Sequence, residues 1–345
     1  MLGRLIVFLI ITSALCGLLA IDWLQDAEKS ALTTESRNIT VAKGASMRGF
    51  ADQLVTDGLL NEPWSFRFWA RYRGLSASLK TGEYQIPAEA TMSELLQLVT
   101  SGKVIDYPVT FIEGWNFKQL REALSKQDKL RHTIDKLDDE AVMKAIDAEG
   151  VYPEGRFYPD TYRYTGSMSD VDILRLSYGK MKKLLSEEWE NRESGLPLEN
   201  KDQALVLASI IEKETGAAKE RPEISGVFTN RLRKGMRLQT DPTVIYGMGE
   251  NYKGNIRKKD LLKDTPYNTY TRSGLPPTPI AMPGGDAIHA ALHPAKTKAL
   301  YFVAKGNGKH KFSATLTEHN EAVIKYQLKG RRKNFSSYSS SVTKK

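Results

Sequence analysis

The run Ala204-Leu-Val-Leu-Ala-Ser-Ile-Ile-Glu-Lys-Glu-Thr-Gly216 limits what this chain can become more than any other segment. Its spacing predicts a helix that is apolar on nearly every side, with Asp202 available to cap the start and Gly216 where helices commonly stop. Such a helix lies inside a protein, covered on all its faces. Carrying Glu212 and Glu214 into that setting is costly unless each carboxyl is paired, protonated or used in chemistry. Desolvation raises a carboxyl pKa, and a general acid working near neutral pH needs that rise. Two residues apart on a helix, the glutamates point about 200° from one another and cannot both face one cleft. Glu214 shares a face with Leu207, Ile210 and Ile211, and Glu212 shares one with Leu205, Ala208 and Ser209. Both faces are apolar, so periodicity leaves open which is the acid and which a buried salt-bridge or hydrogen-bond partner. It also leaves open that both are surface groups at a frayed end.

A chain of 345 residues can bury a large core and is expected to hold two folded domains plus ends. Its 41% hydrophobic and 26% charged residues exclude disorder of the whole. The net charge of +9 is unevenly spread: from Lys325 onward the chain carries Lys325, Lys329, Arg331, Arg332, Lys333, Lys344 and Lys345 and no acid. Basic residues are not interleaved with aromatics, so no nucleic-acid partner is expected. One cysteine, Cys16, excludes an intramolecular disulfide and a cysteine zinc site. His289 and His293 have helical metal-pair spacing but lack the intervening glutamate of zinc proteases, and Pro294 follows at once. No metal and no cofactor are expected.

Residues 1–21 read as an apolar segment broken only by Gly3, Arg4 and Thr12-Ser13, long enough with its flanks to span a membrane. Arg4 leads it, and Asp22, Asp26 and Glu28 follow, which places the amino terminus in the cytoplasm and the rest outside. Leu18-Leu-Ala20 is a poor cleavage site, and Ser13-Ala-Leu-Cys16 a poor lipoprotein site, so an uncleaved anchor is the reading.

Residues 22–38 form a polar juxtamembrane spacer. A compact strand-helix-helix-strand domain is expected over 39–107, with strands near Ile39–Val41 and Thr81–Pro87 and helices at Met47–Val55 and Pro63–Tyr72. A further capped helix is expected over Thr91–Thr100. Trp64, Phe66, Phe68, Trp69 and Tyr72 read mainly as packing, with a sugar-stacking platform as the rival. A larger α+β domain is expected over 108–330, helical and charged to about residue 200. A Gly/Pro/Asn-rich run then extends from Gly235 to Pro294, the kind of loop that carries binding groups. Residues 331–345 form a basic Ser/Lys-rich tail.

Nucleophile patterns are weak. Ser209 has no glycine elbow, and Gly247-Met-Gly249 is too short for a phosphate loop. Carboxylates remain, together with hydroxyl and amide groups at Arg237–Tyr246 and Asn268–Tyr270 that suit a polyhydroxylated substrate.

Ala208-Ser-Ile-Ile-Glu-Lys-Glu-Thr215, Asn230–Gly249, Tyr267-Asn-Thr-Tyr270, Gly274-Leu-Pro-Pro277 and His293-Pro-Ala295 together resemble the endolytic murein transglycosylases, the YceG-like family. Gly155–Thr161 and Ala322–Leu328 extend the resemblance over residues 39–328. It implies a single-pass inner-membrane protein with a cytoplasmic amino terminus, a LysM-like domain and a periplasmic catalytic domain. The implied activity is cleavage within peptidoglycan strands between N-acetylmuramic acid and N-acetylglucosamine, giving 1,6-anhydro ends. Trimming of nascent strands beside peptidoglycan synthases is implied as well. The family's catalytic residue falls on Glu214; Gln239, Asp241, Asn268 and Tyr270 are the expected substrate-binding residues. The rival functions are a non-catalytic peptidoglycan-binding scaffold and a lysozyme-like hydrolase.

Overall fold

The computed structural model describes residues 2–328, except for the side chains of 2–9, 16, 17, 20, 21, 24 and 27. The expected basic tail lies outside the described residues. The chain divides into two compact units, the first comprising Met1–Pro108 with Lys129–Arg131 and Arg163–Met168, the second the remainder.

In the first unit a helix runs from Leu2 to Lys29. Among the described residues no helix is long and apolar enough to cross a membrane. Much of the segment on which the expected span rests has side chains outside the described residues. Strand Arg37–Val41 pairs antiparallel with Gly82–Ile86, setting Ile39 opposite Tyr84. Helices Met47–Thr56 and Trp64–Tyr72 lie between these strands in sequence, and Met92–Ser101 follows. The helix starts follow side-chain chemistry: Ser46 accepts the Gly49 N–H, and Thr91 exchanges bonds with Glu94 in a capping box. Phe50, Leu54, Phe66, Tyr84, Leu95 and Leu96 are fully buried between strands and helices. Trp64, Phe68 and Tyr72 stay exposed along one helix, and Trp64 stacks on Trp23 at 4.8 Å.

The second unit is built around helix Lys201–Glu214, in which Ala204 through Ile211 are all buried. Helices Asp170–Glu190, Arg221–Arg233 and Gly285–Leu292 cover it with Met181 and Leu185, Ile224 and Phe228, and Ala287, Ile288, Ala291 and Leu292. Every face of the central helix therefore meets apolar side chains, which is why its sequence shows no polar stripe. Its cap is Asn200, whose side chain accepts the Gln203 N–H at 2.9 Å. Asp202, the expected cap, sits inside the first turn and bonds Arg156 at 2.5 Å, two residues too late to cap. Ser209 is wholly buried, donating to the Val206 carbonyl at 2.7 Å and accepting the Ile280 N–H at 3.0 Å.

The run Gly235–Pro294, expected as loops, contains helices Asp241–Met248, Lys258–Leu262 and Gly285–Leu292. Their breakers stand at helix starts: Pro242 occupies the first turn, where its missing N–H goes unused, and Gly284 is an N-cap. Strands Tyr301–Ala304 and His310–Ser313 form an antiparallel hairpin with Phe302 opposite Phe312. Helix Leu316–Tyr326 follows, starting earlier than the closing helix read from sequence because Thr315 and Glu318 make a capping box.

Candidate active site

Glu214 is the last residue of the central helix, and extended Thr215 turns the chain away beyond it. The half-buried carboxyl lines a cleft of about 510 Å³ together with Arg231, Gln239, Asp241, Tyr270, His310 and His319. Thr240 donates its hydroxyl to Glu214 Oε1. Burial pushes the Glu214 carboxyl up to about 7, and Asp241 adds to the rise; the Thr240 bond, His310 and Arg231 oppose it. A carboxyl held there carries its proton up to neutral pH.

Glu212 has another setting. Its side chain and that of Arg221 are 6% and 7% exposed and meet at 2.9 Å; the other Glu212 oxygen accepts the Gly284 N–H at 2.9 Å. Arg221 also reaches Glu113 and Asp286, each at 3.4 Å. The two glutamates thus separate as helix geometry requires, one into an ion-pair cluster and one into the cleft.

Gln239, Asp241 and Tyr270 come together with Glu214 in the cleft. Gln239 has a left-handed backbone, φ 51°, and donates its N–H to the Thr269 carbonyl at 3.1 Å. Tyr270 donates its hydroxyl to Asp241 Oδ1 at 2.6 Å. Burial first, then the Asp241 charge, holds the Tyr270 phenol above its ordinary range. Asn268 is not among the lining residues. Only 1% exposed, it donates its amide to the carbonyls of Asp260, Leu261 and Lys263 at 3.3, 3.0 and 2.7 Å and accepts the Tyr270 N–H at 2.9 Å. It ties the loop that carries Tyr270, and its donors are already used.

Sequence reading missed the opposite wall. Tyr301, Phe302, His310 and His319 come from the hairpin and the helix after it. The Arg221–Arg233 helix holds this wall: Asn230 donates to the Thr297 and Ala299 carbonyls at 2.8 and 3.1 Å. Arg231 Nε donates to the Leu300 carbonyl at 2.6 Å. Gly226 allows the approach, since a Cβ there would lie 2.6 Å from the Ala295 oxygen. At the far end His310 Nδ1 lies 2.8 Å from Glu220 Oε2. Arg231 did leave a signal, because it shares a helix face with Ile224, Val227 and Phe228. The histidines left none, since His310 reaches the cleft through strand pairing and His319 through the packing of the helix after the hairpin.

Among the described residues, Glu188, His289 and His293 cluster as metal ligands would. The imidazoles stack at 4.1 Å and 16°, and the Nδ1 atoms of His289 and His293 lie 2.9 and 3.7 Å from one Glu188 oxygen. Both His293 nitrogens also face carbonyl oxygens, Asn191 at 2.9 Å and His289 at 3.1 Å.

The fold and cleft define a protein with one buried acid set among hydroxyl, amide and imidazole groups. A profile of the YceG-like family matches residues 39–325. The chain is 34% identical over 327 residues to the endolytic murein transglycosylase of Bacillus subtilis, covering 88% of both chains. It is 26% identical over 324 residues to the endolytic murein transglycosylase of Streptococcus pneumoniae, covering 84% of this chain and 58% of that protein. The crystal structure of a yceG-like protein from Listeria monocytogenes superposes with a TM-score of 0.52 at 31% identity, covering 84% of this chain and all of the other. This chain belongs to the YceG-like family.

Proposed function

We propose that the protein is a peptidoglycan lytic transglycosylase that cuts the bond between N-acetylmuramic acid and N-acetylglucosamine within glycan strands. The observation that carries this reading is Glu214: one carboxyl at the end of the buried helix, bonded by Thr240 and opening onto a polar cleft, with burial raising its pKa. Glu214 gives its proton to the glycosidic oxygen as the C1–O bond breaks. As a carboxylate it then takes the proton of the muramoyl 6-hydroxyl, whose oxygen closes on C1 to form the 1,6-anhydro ring. No water is consumed, so one carboxyl serves where hydrolytic glycosidases use two. Gln239, Asp241 and Tyr270 hold the sugars, with Asn268 acting on them through the loop it ties. The relatives' printed activity supports the substrate class.

In the same reading residues 1–21 anchor the protein in the inner membrane, its amino terminus cytoplasmic and its catalytic unit periplasmic. The first unit serves as a LysM-like murein-binding module, and synthases that make the strands are its neighbours. Two measurements test the proposal. Mass analysis of digested glycan strands is expected to show anhydro ends; reducing muramic acid ends would make the protein a hydrolase. Glu214→Gln is expected to abolish cleavage, and complementation of a deletion by that variant would favour the scaffold.

A further inference from the structure

Two arginines of the Arg221–Arg233 helix are about equally buried, at 6% and 7% exposure, but only one is answered by carboxylates. Arg221 has Glu212, Glu113 and Asp286 around it. Among the described residues Arg231 bonds backbone carbonyls: Leu300 through Nε at 2.6 Å, and Leu238 and Arg237 through Nη1 at 2.7 and 3.3 Å. Its guanidinium lies 5.1 Å from the Tyr301 ring and lines the cleft with Glu214. A buried cation without a counter-ion is expensive, and folds rarely retain one unless an anion appears there in use.

We infer that Arg231 is a positioning residue for the reaction proposed above, the fixed counter-charge for the Glu214 carboxylate that exists between the two proton transfers. When the C1–O bond breaks, its electron pair leaves with the glycosidic oxygen, which takes the Glu214 proton. The cleft then holds a new carboxylate close to Asp241, a like charge. The groups facing Glu214 are Asp241 and Thr240 from the helix side, Tyr270 from the loop, His310 from the hairpin and Arg231 from the neighbouring helix. Arg231 is the cation among them that is charged at every working pH. It exchanges no proton. Its three carbonyl bonds fix its place before the anion forms, so little rearrangement is needed when charge develops. Burial holds the Arg231 guanidinium below its usual range, and Tyr301, Tyr270 and then Glu214 oppose that.

The test follows Glu214 itself, by carboxyl carbon NMR of the full-length protein, alongside the pH dependence of kcat/KM. Arg231→Gln is expected to raise the Glu214 midpoint by about one pH unit, as loss of a nearby opposite charge does. The alkaline limb of the rate profile moves with it, and kcat falls about tenfold or more. An unmoved midpoint with only a lower melting temperature would make Arg231 a clamp for the wall and overturn the inference. Should Arg231→Gln not fold, Arg231→Lys decides. Adding Glu214→Gln to it is expected to lower the titration midpoint of the introduced ammonium, and no change would overturn the coupling. Because these midpoints are read without turnover, they stand apart from whether the cleft cuts murein.

Discussion

Glu212 and Glu214 sit two residues apart on one helix, and opposite substitutions are expected to separate them. Glu212→Gln strips Arg221 of the one carboxylate buried beside it, leaving Glu113 and Asp286 at 3.4 Å. Breaking a buried pair costs about 3–5 kcal/mol, so urea unfolding is expected to show a large loss. Glu214→Gln replaces a carboxyl that prefers to be neutral, and the expected sign is reversed. The folded-state value, about 7, lies above the ordinary glutamate value, so folding favours the protonated form. Wild-type stability from this group is then present at low pH and is lost as pH rises through about 7. The glutamine variant is expected to match wild type near pH 4 and to melt higher than wild type at pH 8, while catalysis is gone throughout. For wild type, kcat/KM is expected to fall above about pH 7 as Glu214 loses its proton.

Among elements, the wall facing Glu214 hangs on the Arg221–Arg233 helix by few bonds. Asn230→Ala removes the donors to the Thr297 and Ala299 carbonyls, and Gly226→Ala pushes a methyl toward the Ala295 oxygen. Each is expected to cost about 1–3 kcal/mol in chemical unfolding and to lower cleavage more than that loss explains, because the wall shifts. This wall is also where sequence reading stopped. The central helix and the Thr91 cap lay within reach of periodicity and local motif, whereas only the family resemblance singled out Glu214, which the structure places in one cleft with Gln239, Asp241 and Tyr270. Asn268 had the right neighbours in sequence, but its amide points into its own loop, which motif reading cannot distinguish. Pro242 and Gly284 looked like loop residues because a helix start uses the same amino acids as a turn. His310 depends on the hairpin register, Phe302 against Phe312, and His319 on how the following helix packs, and neither is local information.

At the scale of the whole molecule the second unit holds another acid raised by burial besides Glu212 and Glu214. Glu154 is 4% exposed, and burial raises it to about 7 even though the Phe117 N–H and the Tyr246 hydroxyl both bond it. Glu154 and Glu214 together make the folded chain bind more protons than the unfolded one between about pH 4.5 and 7. Stability from this source declines across that window as pH rises. His319, which burial holds below its usual value, works in the other direction near pH 6.5. Comparing wild type with Glu154→Gln/Glu214→Gln isolates the acids: the difference in urea midpoint is expected to widen from pH 5 to pH 8, and a constant difference would refute it.

The cleft draws its two walls from distant stretches, Glu214 to Asp241 on one side and Tyr301 to Gln327 on the other. On a chain that emerges from its amino end, the acid is made some ninety residues before the hairpin that encloses it. Until that hairpin is made, the cleft on which Glu214 opens lacks its second wall. The acid and the groups that enclose it are thus joined only when the last hundred or so residues of the described chain are in place.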